Sequence, residues 1–295
     1  MKNLNVIEKT EERHRQRIAE HFSSNTKYWD AVYDEKNPAS GRSLIQQENM
    51  NYRKQITLSY ISAFAGDKSL EILDVGCGTG SLMASMLAMG HRVRGVDISE
   101  RMVETVNSRL KTEGSGPLCL KAAVEVLPFA TNTFDIITCL GVIEYLYKPE
   151  KGIEEIFRVL KDDGLFIVSA PNLIKLQFIL DPYYYFNRSV KYFFVKSGIN
   201  KWRQTKAAKE ISTNRNFTNK RYTYSGIISL LSGCNLYLSE FENIGFGPVT
   251  FWQKNIFSDS VLLKTNNTLI RLSHKKFFGF LKFFANRWVF CLKKK

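Results

Sequence analysis

Apolar and polar positions alternate along residues 70–171 in a rhythm that predicts strands and helices in turn. Short apolar runs predict buried strands, and the stretches between them carry apolar residues at helical spacing. The predicted strands are 70–75, 91–97, 117–123, 134–141 and 165–171. The predicted helices are 81–90, 98–111 and 150–164, the first and last ending on a glycine. This alternation predicts an α/β fold, a doubly wound parallel sheet with helices on both faces.

The flanking segments follow other patterns. Residues 8–66 are predicted to be helical, and 222–236 is predicted to form one more helix. Residues 235–243 and 286–294 are predicted to form two further strands, whereas 244–285 reads as irregular.

Positive charge is concentrated in the second half of the chain. The 295 residues carry a net charge of +14, and residues 172–295 hold 21 Lys and Arg against 5 Asp and Glu. Because aromatic residues are interleaved with these charges, we expect an anionic partner rather than a surface that is merely solvated.

Cysteine and histidine positions do not suggest a metal site. The five cysteines and four histidines are scattered without a C-x-x-C pair, which argues against a zinc knuckle or a disulfide framework. The first residues resemble no signal peptide, and no run of about 18 uncharged apolar residues would span a membrane. We therefore expect a cytoplasmic protein without a metal.

A glycine-rich loop follows the first predicted strand in the sequence LDVGCGTG, residues 73–80. A Walker loop is excluded because no Gly-Lys-Ser or Gly-Lys-Thr follows. A dinucleotide fingerprint has the spacing G-x-G-x-x-G, whereas Ser81 occupies the third glycine position here. A turn without a ligand is disfavoured, since three alternate glycines cost conformational entropy.

Together with later segments, the loop resembles a known family. EILDVGCGTG resembles the first motif of the class I S-adenosylmethionine-dependent methyltransferases, and VRGVDIS, with Asp97 placed 17 residues after Gly80, resembles the second. VEVLPFATNTFDIITCLGVIEYL (124–146) resembles their third and fourth motifs, and KDDGLFIVSAPN (161–172) the fifth. The similarity is greatest to the small-molecule branch, which modifies quinone precursors, lipids, sugars and polyketides. The resemblance implies a Rossmann-like, mostly parallel seven-stranded sheet with its last strand antiparallel, and S-adenosyl-L-methionine as the cofactor.

The resemblance also implies which residues contact the cofactor. The glycines let the backbone approach its methionine part and ribose, and Asp97 binds the ribose hydroxyls. Ala123 departs from the family pattern, because an aspartate commonly contacts the adenine amino group there; Glu125 is the candidate replacement. The implied contacts are Asp74, Gly76, Cys77, Gly78, Gly80, Asp97, Ile98, Ala123, Val124, Glu125 and Leu140.

Methyl transfer from a sulfonium is an in-line displacement, which needs alignment more than a strong catalytic constellation. CLGVIEYL stands where methyltransferases of nucleobase amino groups often have Asn-Pro-Pro-Tyr or Asp-Pro-Pro-Tyr, so we expect an oxygen or carbon acceptor. Glu144 and Tyr145 stand where related quinone-pathway enzymes have an acidic residue followed by histidine. Either is a candidate general base or substrate hydrogen-bonding group. The alternative is that Glu144 caps or pairs near the following helix and Tyr145 packs.

The other regions are assigned around this core. Residues 1–66 are predicted as a helical N-terminal cap, 67–171 as the cofactor-binding core, and 172–224 as an aromatic and basic substrate lid. Residues 225–295 are predicted to complete the sheet, with a long insertion at 244–285. The candidate substrate-lid residues are Tyr28, Tyr33, Arg53, Tyr183, Tyr184 and Tyr185. The first three lie in the N-terminal segment, which often closes over the cofactor in the family, and Arg53 is a candidate partner of the methionine carboxylate.

The acceptor remains open at the level of the sequence. A small, apolar or lipid-like molecule methylated at an anionic membrane surface fits the aromatic and basic segments 176–202 and 275–284. An RNA methyltransferase is an alternative, but no RNA-binding module is recognised, so nucleic acid is not the expected partner. A non-catalytic cofactor-binding scaffold is the third interpretation.

Overall fold

A computed structural model covers most of the chain. It describes residues 2–33, 42–111, 116–184, 186, 219–248, 250–252, 254–255 and 257–294. The candidate lid residue Tyr185 lies outside these ranges.

Seven strands form one sheet, and two short strands form a separate hairpin. The strands of the sheet are β1 (Glu71–Val75), β2 (Arg92–Asp97), β3 (Cys119–Lys121), β4 (Phe134–Leu140), β5 (Leu160–Pro171), β6 (Leu236–Ile244) and β9 (Arg287–Lys294). The hairpin consists of β7 (Thr250–Phe251) and β8 (Lys254–Asn255). The sheet has the order β3-β2-β1-β4-β5-β9-β6; neighbours from β3 to β5 pair in parallel, and β9 is antiparallel to both β5 and β6. The predicted α/β fold, the seven-stranded sheet and the antiparallel last strand are confirmed.

Helices form the N-terminal segment and cover both faces of the sheet. The helices are α1 (Lys2–Ser24), α2 (Thr26–Val32), α3 (Arg42–Ala65), α4 (Ser81–Ala88), α5 (Glu100–Arg109), α6 (Pro149–Val159), α7 (Leu176–Leu180), α8 (Tyr224–Ser232) and α9 (Asp259–Ser273). Two 3-10 segments span Ile143–Tyr145 and Lys276–Phe284. The predicted N-terminal helices are thus present in the described part of that region. Within the described ranges, no helix combines the length and apolarity needed to cross a membrane.

The hydrophobic core lies on both faces of the sheet, because successive strand residues point to opposite sides. Ile72 on β1 and Ile167 on β5 belong to one cluster, with residues of α3, α4 and α5. Their neighbours Leu73 and Val168 belong to the other, with residues of α6 and α8. Burial on both faces explains why these strands are continuous apolar runs in the sequence.

The boundary between α6 and β5 differs from the prediction. The predicted helix continued to Gly164, but α6 ends at Val159 and β5 begins at Leu160. Leu160 is fully buried and pairs with Phe134, and the register between β4 and β5 then shifts, with Asp163 at a φ of 61° inside the irregular stretch. Burial of Leu160 against the sheet therefore ends the helix before the polar Lys-Asp-Asp-Gly stretch.

The insertion at 244–285 is regular, so the prediction of an irregular segment was wrong. It contains the hairpin, α9 and the second 3-10 segment. Asn266 on α9 is buried; its Oδ1 accepts a hydrogen bond from the backbone N of Phe246 at 2.9 Å, and its Nδ2 donates to Oδ1 of Asn49 at 3.3 Å. A buried asparagine interrupts the apolar spacing, which hid this helix from the sequence pattern.

Candidate functional site

A cavity opens at the carboxyl ends of β1, β2 and β4, the edge at which open α/β sheets bind ligands. It encloses about 1040 Å³ of empty space, part of it open to solvent, and α1, α2 and α3 contribute its cover. The predicted cofactor contacts that line it are Gly76, Gly78, Asp97, Ile98, Ala123, Val124, Glu125 and Leu140. The sequence therefore identified most of one side of this cavity.

A smaller cavity of about 410 Å³, also partly open to solvent, shares Arg53 and Gly76 with the large one, and Asp74 and Cys77 line it. Gly80 lines neither cavity. It caps α4 with a φ of 82°, and a Cβ there would lie 3.1 Å from the Val106 side chain. Gly80 thus serves the strand-to-helix turn, and its contact with the cofactor stays a prediction.

The candidate lid residues divide into two groups. Tyr33 and Arg53 line the large cavity, whereas Tyr28, Tyr183 and Tyr184 are absent from the lining of both cavities in the described part of the chain. Tyr28 is 46% exposed, and the rings of Tyr183 and Tyr184 contact each other at the end of α7. The structure therefore places only Tyr33 and Arg53 of this set in a cavity, and their role over a ligand stays a prediction.

The glycine loop presents bare backbone to the cavity. Gly76 and Gly78 have φ angles of 69° and 54°, in the left-handed region that glycine adopts most readily. A Cβ on Gly76 would overlap the side chain of Val142, so the loop passes tightly against the segment after β4. A Cβ on Gly78 would meet no protein atom within 4 Å, and the space in front of it belongs to the cavity. Such a position lets a ligand approach the main chain closely.

Asp97 ends β2 and is held by the backbone of two loops. Its Oδ2 accepts a hydrogen bond from the N of Gly78 at 3.0 Å, and its Oδ1 accepts one from the N of Ser99 at 2.9 Å. Burial raises the pKa of Asp97, while hydrogen bonds from backbone N–H groups oppose the shift. The carboxylate is therefore fixed in orientation, with lone pairs left for a ligand in the cavity.

Asp74 lies on β1, the strand next to β2, shortly before the glycine loop. Its Oδ1 accepts a hydrogen bond from the hydroxyl of Thr138 at 2.7 Å. Burial raises the pKa of Asp74 to about 7, against the effects of Thr138 and of the nearby Arg53. A cationic amino group at this position would stabilise the ionised form.

These residues fit S-adenosylmethionine. The uncovered backbone at Gly78 matches the need for close approach by the methionine part, and Asp97 is placed to accept hydrogen bonds from two ribose hydroxyls. Asp74 provides a carboxylate for the amino group, and the apolar side chains of Ile98 and Val124 line the cavity near Asp97, as an adenine ring requires. The donor set of the chain therefore supports the predicted cofactor.

Glu125 lies beside Ala123, the position at which the family pattern has an aspartate. Its Oε1 lies 3.9 Å from Nε of Arg15 on α1, and its side chain is 8% exposed. The carboxylate therefore faces the cover of the cavity, where it remains the candidate partner for the adenine amino group.

The cover contains side chains that the sequence analysis did not assign to the site. Nε2 of His14 lies 2.7 Å from the backbone oxygen of Tyr145, and the ring of Phe22 contacts the Tyr145 ring edge-on at 5.2 Å. The hydroxyls of Ser23 and Ser99 lie 2.8 Å apart and join α1 to the start of α5. The sequence predicted that the N-terminal segment is helical but not which residues it contacts. Partners such as His14 and Tyr145 are 131 residues apart, so no local pattern links them.

Glu144 lines the large cavity and forms an ion pair there. It is fully buried, and its Oε1 accepts a hydrogen bond from Nη2 of Arg287 at 2.6 Å. The partner of Glu144 is thus the first residue of β9 rather than a group near α6. Arg53 lines both cavities, and its Nη2 donates a hydrogen bond to the hydroxyl of Tyr33 at 2.7 Å. No motif pointed to Arg287, because the antiparallel pairing of β9 with β5 brings it to the site.

Tyr145 packs beneath the cover and keeps its proton. Burial, together with the charge of Glu144, raises the pKa of Tyr145 to about 12. The hydroxyl is therefore a hydrogen-bond donor at neutral pH rather than a base.

The residues described here contain no group of three or more His, Cys, Asp or Glu side chains arranged to hold a metal ion. Cys77 and Cys119 are buried, and their sulfur atoms lie 3.3 Å apart.

Comparisons with known proteins agree with this geometry. A family model described as a methyltransferase domain matches residues 73–168. The chain is 31% identical over 129 residues to a ubiquinone biosynthesis O-methyltransferase of Rickettsia canadensis, covering 43% of this chain and 54% of that protein. It is 26% identical over 227 residues to a demethylmenaquinone methyltransferase of Clavibacter sepedonicus, covering 69% and 88%. The chain spans about half the length of the first of these relatives.

The fold is also similar to solved structures. Magnesium protoporphyrin IX methyltransferase from Synechocystis PCC 6803, solved with bound SAH, superposes with a TM-score of 0.61 at 13% identity. The superposition covers 96% of this chain and all of that one. At this identity the similarity shows a shared fold and nothing about the acceptor.

Proposed function

We propose that this chain is a class I S-adenosylmethionine-dependent methyltransferase and that it transfers a methyl group from S-adenosylmethionine to an oxygen or carbon atom of an apolar, quinone-like small molecule. The observation that carries the proposal is one cavity whose lining includes Gly78 and Asp97 together with Arg53, Glu144 and Arg287.

The names of the similar proteins support a quinone-like acceptor. The two relatives described above are named for methylation in ubiquinone biosynthesis and of demethylmenaquinone. Phe22, Trp29, Met50 and Tyr145 give the cavity an apolar and aromatic lining, which suits a flat apolar ring.

The protein's contribution to the reaction is alignment and exclusion of water. When bound, S-adenosylmethionine supplies an electrophilic methyl group on a positively charged sulfur. Leu140, the last residue of β4, and Gly141, which follows it, line the same cavity as the cofactor residues, so an acceptor held beside them would face the cofactor. Phe22 and Trp29 cover this region and limit access of water.

Glu144 and Tyr145 act on the acceptor side without serving as general bases. The ion pair with Arg287 assigns Glu144 to positioning that guanidinium, and the protonated Tyr145 hydroxyl donates a hydrogen bond to the acceptor. We expect Tyr145→Phe to raise KM with little change in kcat, and Glu144→Gln to lower kcat/KM. Tyr237→Phe, at a 43% exposed position on β6, is the matched control. Unchanged rates for both site variants in a turnover assay would remove these residues from the mechanism.

The alternatives carry less support. The names of the relatives described above give no support to an RNA methyltransferase. A non-catalytic scaffold does not explain why Arg53, Glu144 and Arg287 line the same cavity as the cofactor residues.

An exposed aromatic segment supports association with an anionic membrane. In the 3-10 segment Lys276–Phe284, Phe277 and Phe280 are 84% and 54% exposed, and Lys275 and Lys276 accompany them. Asn172 anchors the exposed Ile174 to this segment, because its Nδ2 donates both to the backbone oxygen of Ile174 at 2.7 Å and to that of Phe283 at 2.8 Å. Apolar anchors beside lysines are suited to a bilayer interface with anionic headgroups.

Flotation with anionic vesicles at low salt tests this association, because surface attraction is then strongest. The wild type should float with the vesicles and Phe277→Glu/Phe280→Glu should not. Tyr237→Glu, at an exposed aromatic of the edge strand β6, is the control and should float normally. A wild type that stays with the soluble fraction contradicts the membrane proposal.

Acceptor-dependent turnover tests the proposed activity. The protein is incubated with S-adenosylmethionine and a bacterial membrane-lipid extract, and formation of S-adenosylhomocysteine is measured. We expect turnover that requires the extract and is lost in Asp97→Asn, whereas Asp67→Asn, at an exposed position after α3, should retain it. Turnover independent of the extract, or none at all, would contradict the proposal.

A further inference from the structure

The cavity wall at the expected adenine site is short of polar side chains. Ile98, Ala123, Val124 and Glu125 line this wall, and Ala123 offers no side-chain hydrogen-bonding group. The edge of an adenine ring carries an amino group, which donates hydrogen bonds, between ring nitrogens that accept them. Buried polar groups are nearly always hydrogen-bonded, so partners for this edge must come from other residues of the wall.

Glu125 and Arg15 together provide both kinds of partner. Arg15 lines the same cavity from α1, and its Nε lies 3.9 Å from Oε1 of Glu125. This separation is too long for a hydrogen bond, so the two groups lie side by side without being joined. A carboxylate that accepts and a guanidinium N–H that donates therefore border one part of the cavity, in a pattern complementary to the adenine edge.

The Nε–H group of Arg15 is left without a partner. Its Nε is buried and forms no hydrogen bond within the described ranges. The other nitrogens of this guanidinium face carboxylates of α1 itself: Nη1 donates to Oε2 of Glu12 at 3.3 Å, and Nη2 lies 3.7 Å from Oε2 of Glu11. Because a buried N–H is rarely left unpaired, a ligand atom in the cavity is the natural acceptor for it.

Ion pairs join this turn of α1 to the core. Glu11, whose side chain is 8% exposed, pairs with Lys148, directly before α6, and with Lys151 in the first turn of α6. The Nζ of Lys151 lies 3.5 Å from Oε2 of Glu11, the same oxygen that faces Arg15. Arg15 is thus oriented by a carboxylate that is itself anchored to α6, which defines its position beside Glu125.

We propose that Arg15 and Glu125 read the amino edge of the adenine ring of S-adenosylmethionine, where Ala123 has no polar side chain. Glu125 accepts a hydrogen bond from the amino group, and Nε of Arg15 donates one to a ring nitrogen beside it. This inference rests on the proposed function, because it concerns how the proposed cofactor is recognised. It assigns part of the cofactor specificity to α1, which lies outside the methyltransferase domain match at 73–168.

Calorimetry on the full chain with S-adenosylhomocysteine and two analogues tests the inference. S-inosylhomocysteine carries an oxygen in place of the amino group and a hydrogen on N1, and the 7-deaza analogue of S-adenosylhomocysteine lacks N7 as an acceptor. We expect the wild type to bind S-inosylhomocysteine about tenfold or more weakly than S-adenosylhomocysteine, because the carboxylate of Glu125 meets an oxygen instead of an N–H donor.

The variant Glu125→Gln tests the carboxylate. A glutamine side chain can donate as well as accept, so this variant should accommodate either ligand. We expect its preference for S-adenosylhomocysteine over S-inosylhomocysteine to fall to about threefold or less. A purely structural role of Glu125 would weaken both ligands alike and keep the preference.

The variant Arg15→Met tests the guanidinium. It should weaken S-adenosylhomocysteine about tenfold, but leave within about twofold the affinity for the one analogue that lacks the nitrogen contacted. That analogue is S-inosylhomocysteine if the nitrogen is N1, and the 7-deaza analogue if it is N7. Arg17→Met, at an exposed position on the same helix, is the matched control and should change none of the affinities.

Three results overturn the inference. They are equal binding of S-inosylhomocysteine and S-adenosylhomocysteine by the wild type, a full preference retained in Glu125→Gln, and an Arg15→Met variant that weakens all three ligands alike or none. The comparison of ligands on the wild type stands even where a variant folds poorly. If the wild type binds S-adenosylhomocysteine in these experiments, only the inference is refuted; if it does not, the proposed function fails and the inference with it.

Discussion

The substitution Gly78→Ala separates contact with the cofactor from stability of the fold. Gly78 has a φ of 54°, and a Cβ there meets no protein atom within 4 Å. An alanine in this left-handed conformation costs about 1–2 kcal/mol of stability, and its methyl group projects into the cavity. If the cofactor lies against this backbone, the methyl group must displace it.

The expected loss of affinity follows from crowding. One added methyl group in a tightly packed contact costs about 1–3 kcal/mol, which corresponds to about 5- to 150-fold weaker binding of S-adenosylhomocysteine in calorimetry. Gly66 provides a matched control, because it has the same φ of 54° and equally open surroundings but lies after α3, outside both cavities. Gly66→Ala should lose similar stability in urea unfolding and bind the cofactor normally.

Two results would refute this reasoning. Normal affinity in Gly78→Ala would show that the cofactor does not approach this backbone. Equal loss of affinity in Gly66→Ala would show that the effect comes from the fold as a whole.

Three further substitutions test the carboxylates. Asp97→Asn should weaken S-adenosylhomocysteine binding about 10- to 100-fold in calorimetry, because a charged acceptor of hydrogen bonds is lost; normal affinity would remove Asp97 from the ribose contact. Because the pKa of Asp74 is raised to about 7, the folded state holds this proton more tightly than the unfolded chain does. The free energy of unfolding should therefore fall by up to about 4 kcal/mol as the pH rises from about 4 to about 7. Urea unfolding at pH 5 and pH 7.5 should show a smaller fall in Asp74→Asn than in the wild type, and an equal fall would contradict the shift. Glu144→Ala should lose about 3–5 kcal/mol of unfolding free energy, because Arg287 is left unpaired, and Glu144→Ala/Arg287→Met should recover part of it.

The sheet and one side of the cavity were predictable because they depend on contacts close in sequence. Apolar runs marked β1, β2, β4 and β5, and the loops that directly follow β1 and β2 carry Gly78 and Asp97. The comparisons confirm the prediction of S-adenosylmethionine as the cofactor. The motifs that predicted it are short segments of the chain, so they could be recognised from the sequence.

The part of the cavity around Glu144 and Tyr145 was less predictable, because it forms between segments that are distant in the sequence. Glu144 was a candidate from its motif, but its partner Arg287 lies 143 residues away, and His14 reaches Tyr145 across 131 residues. The helix α9 escaped prediction because buried Asn266 breaks its apolar spacing. Gly80, in contrast, was predicted from the motif but serves the turn into α4.

Transfer of a labelled methyl group tests the central claim most directly. The protein is incubated with methyl-labelled S-adenosylmethionine and, in parallel, with a membrane-lipid extract and with total RNA, and the labelled products are identified by mass spectrometry. We expect label in an apolar small molecule of the extract, bound to oxygen or carbon, and none in RNA. Label in RNA alone, or no label in either fraction while the cofactor binds, would contradict a small-molecule methyltransferase.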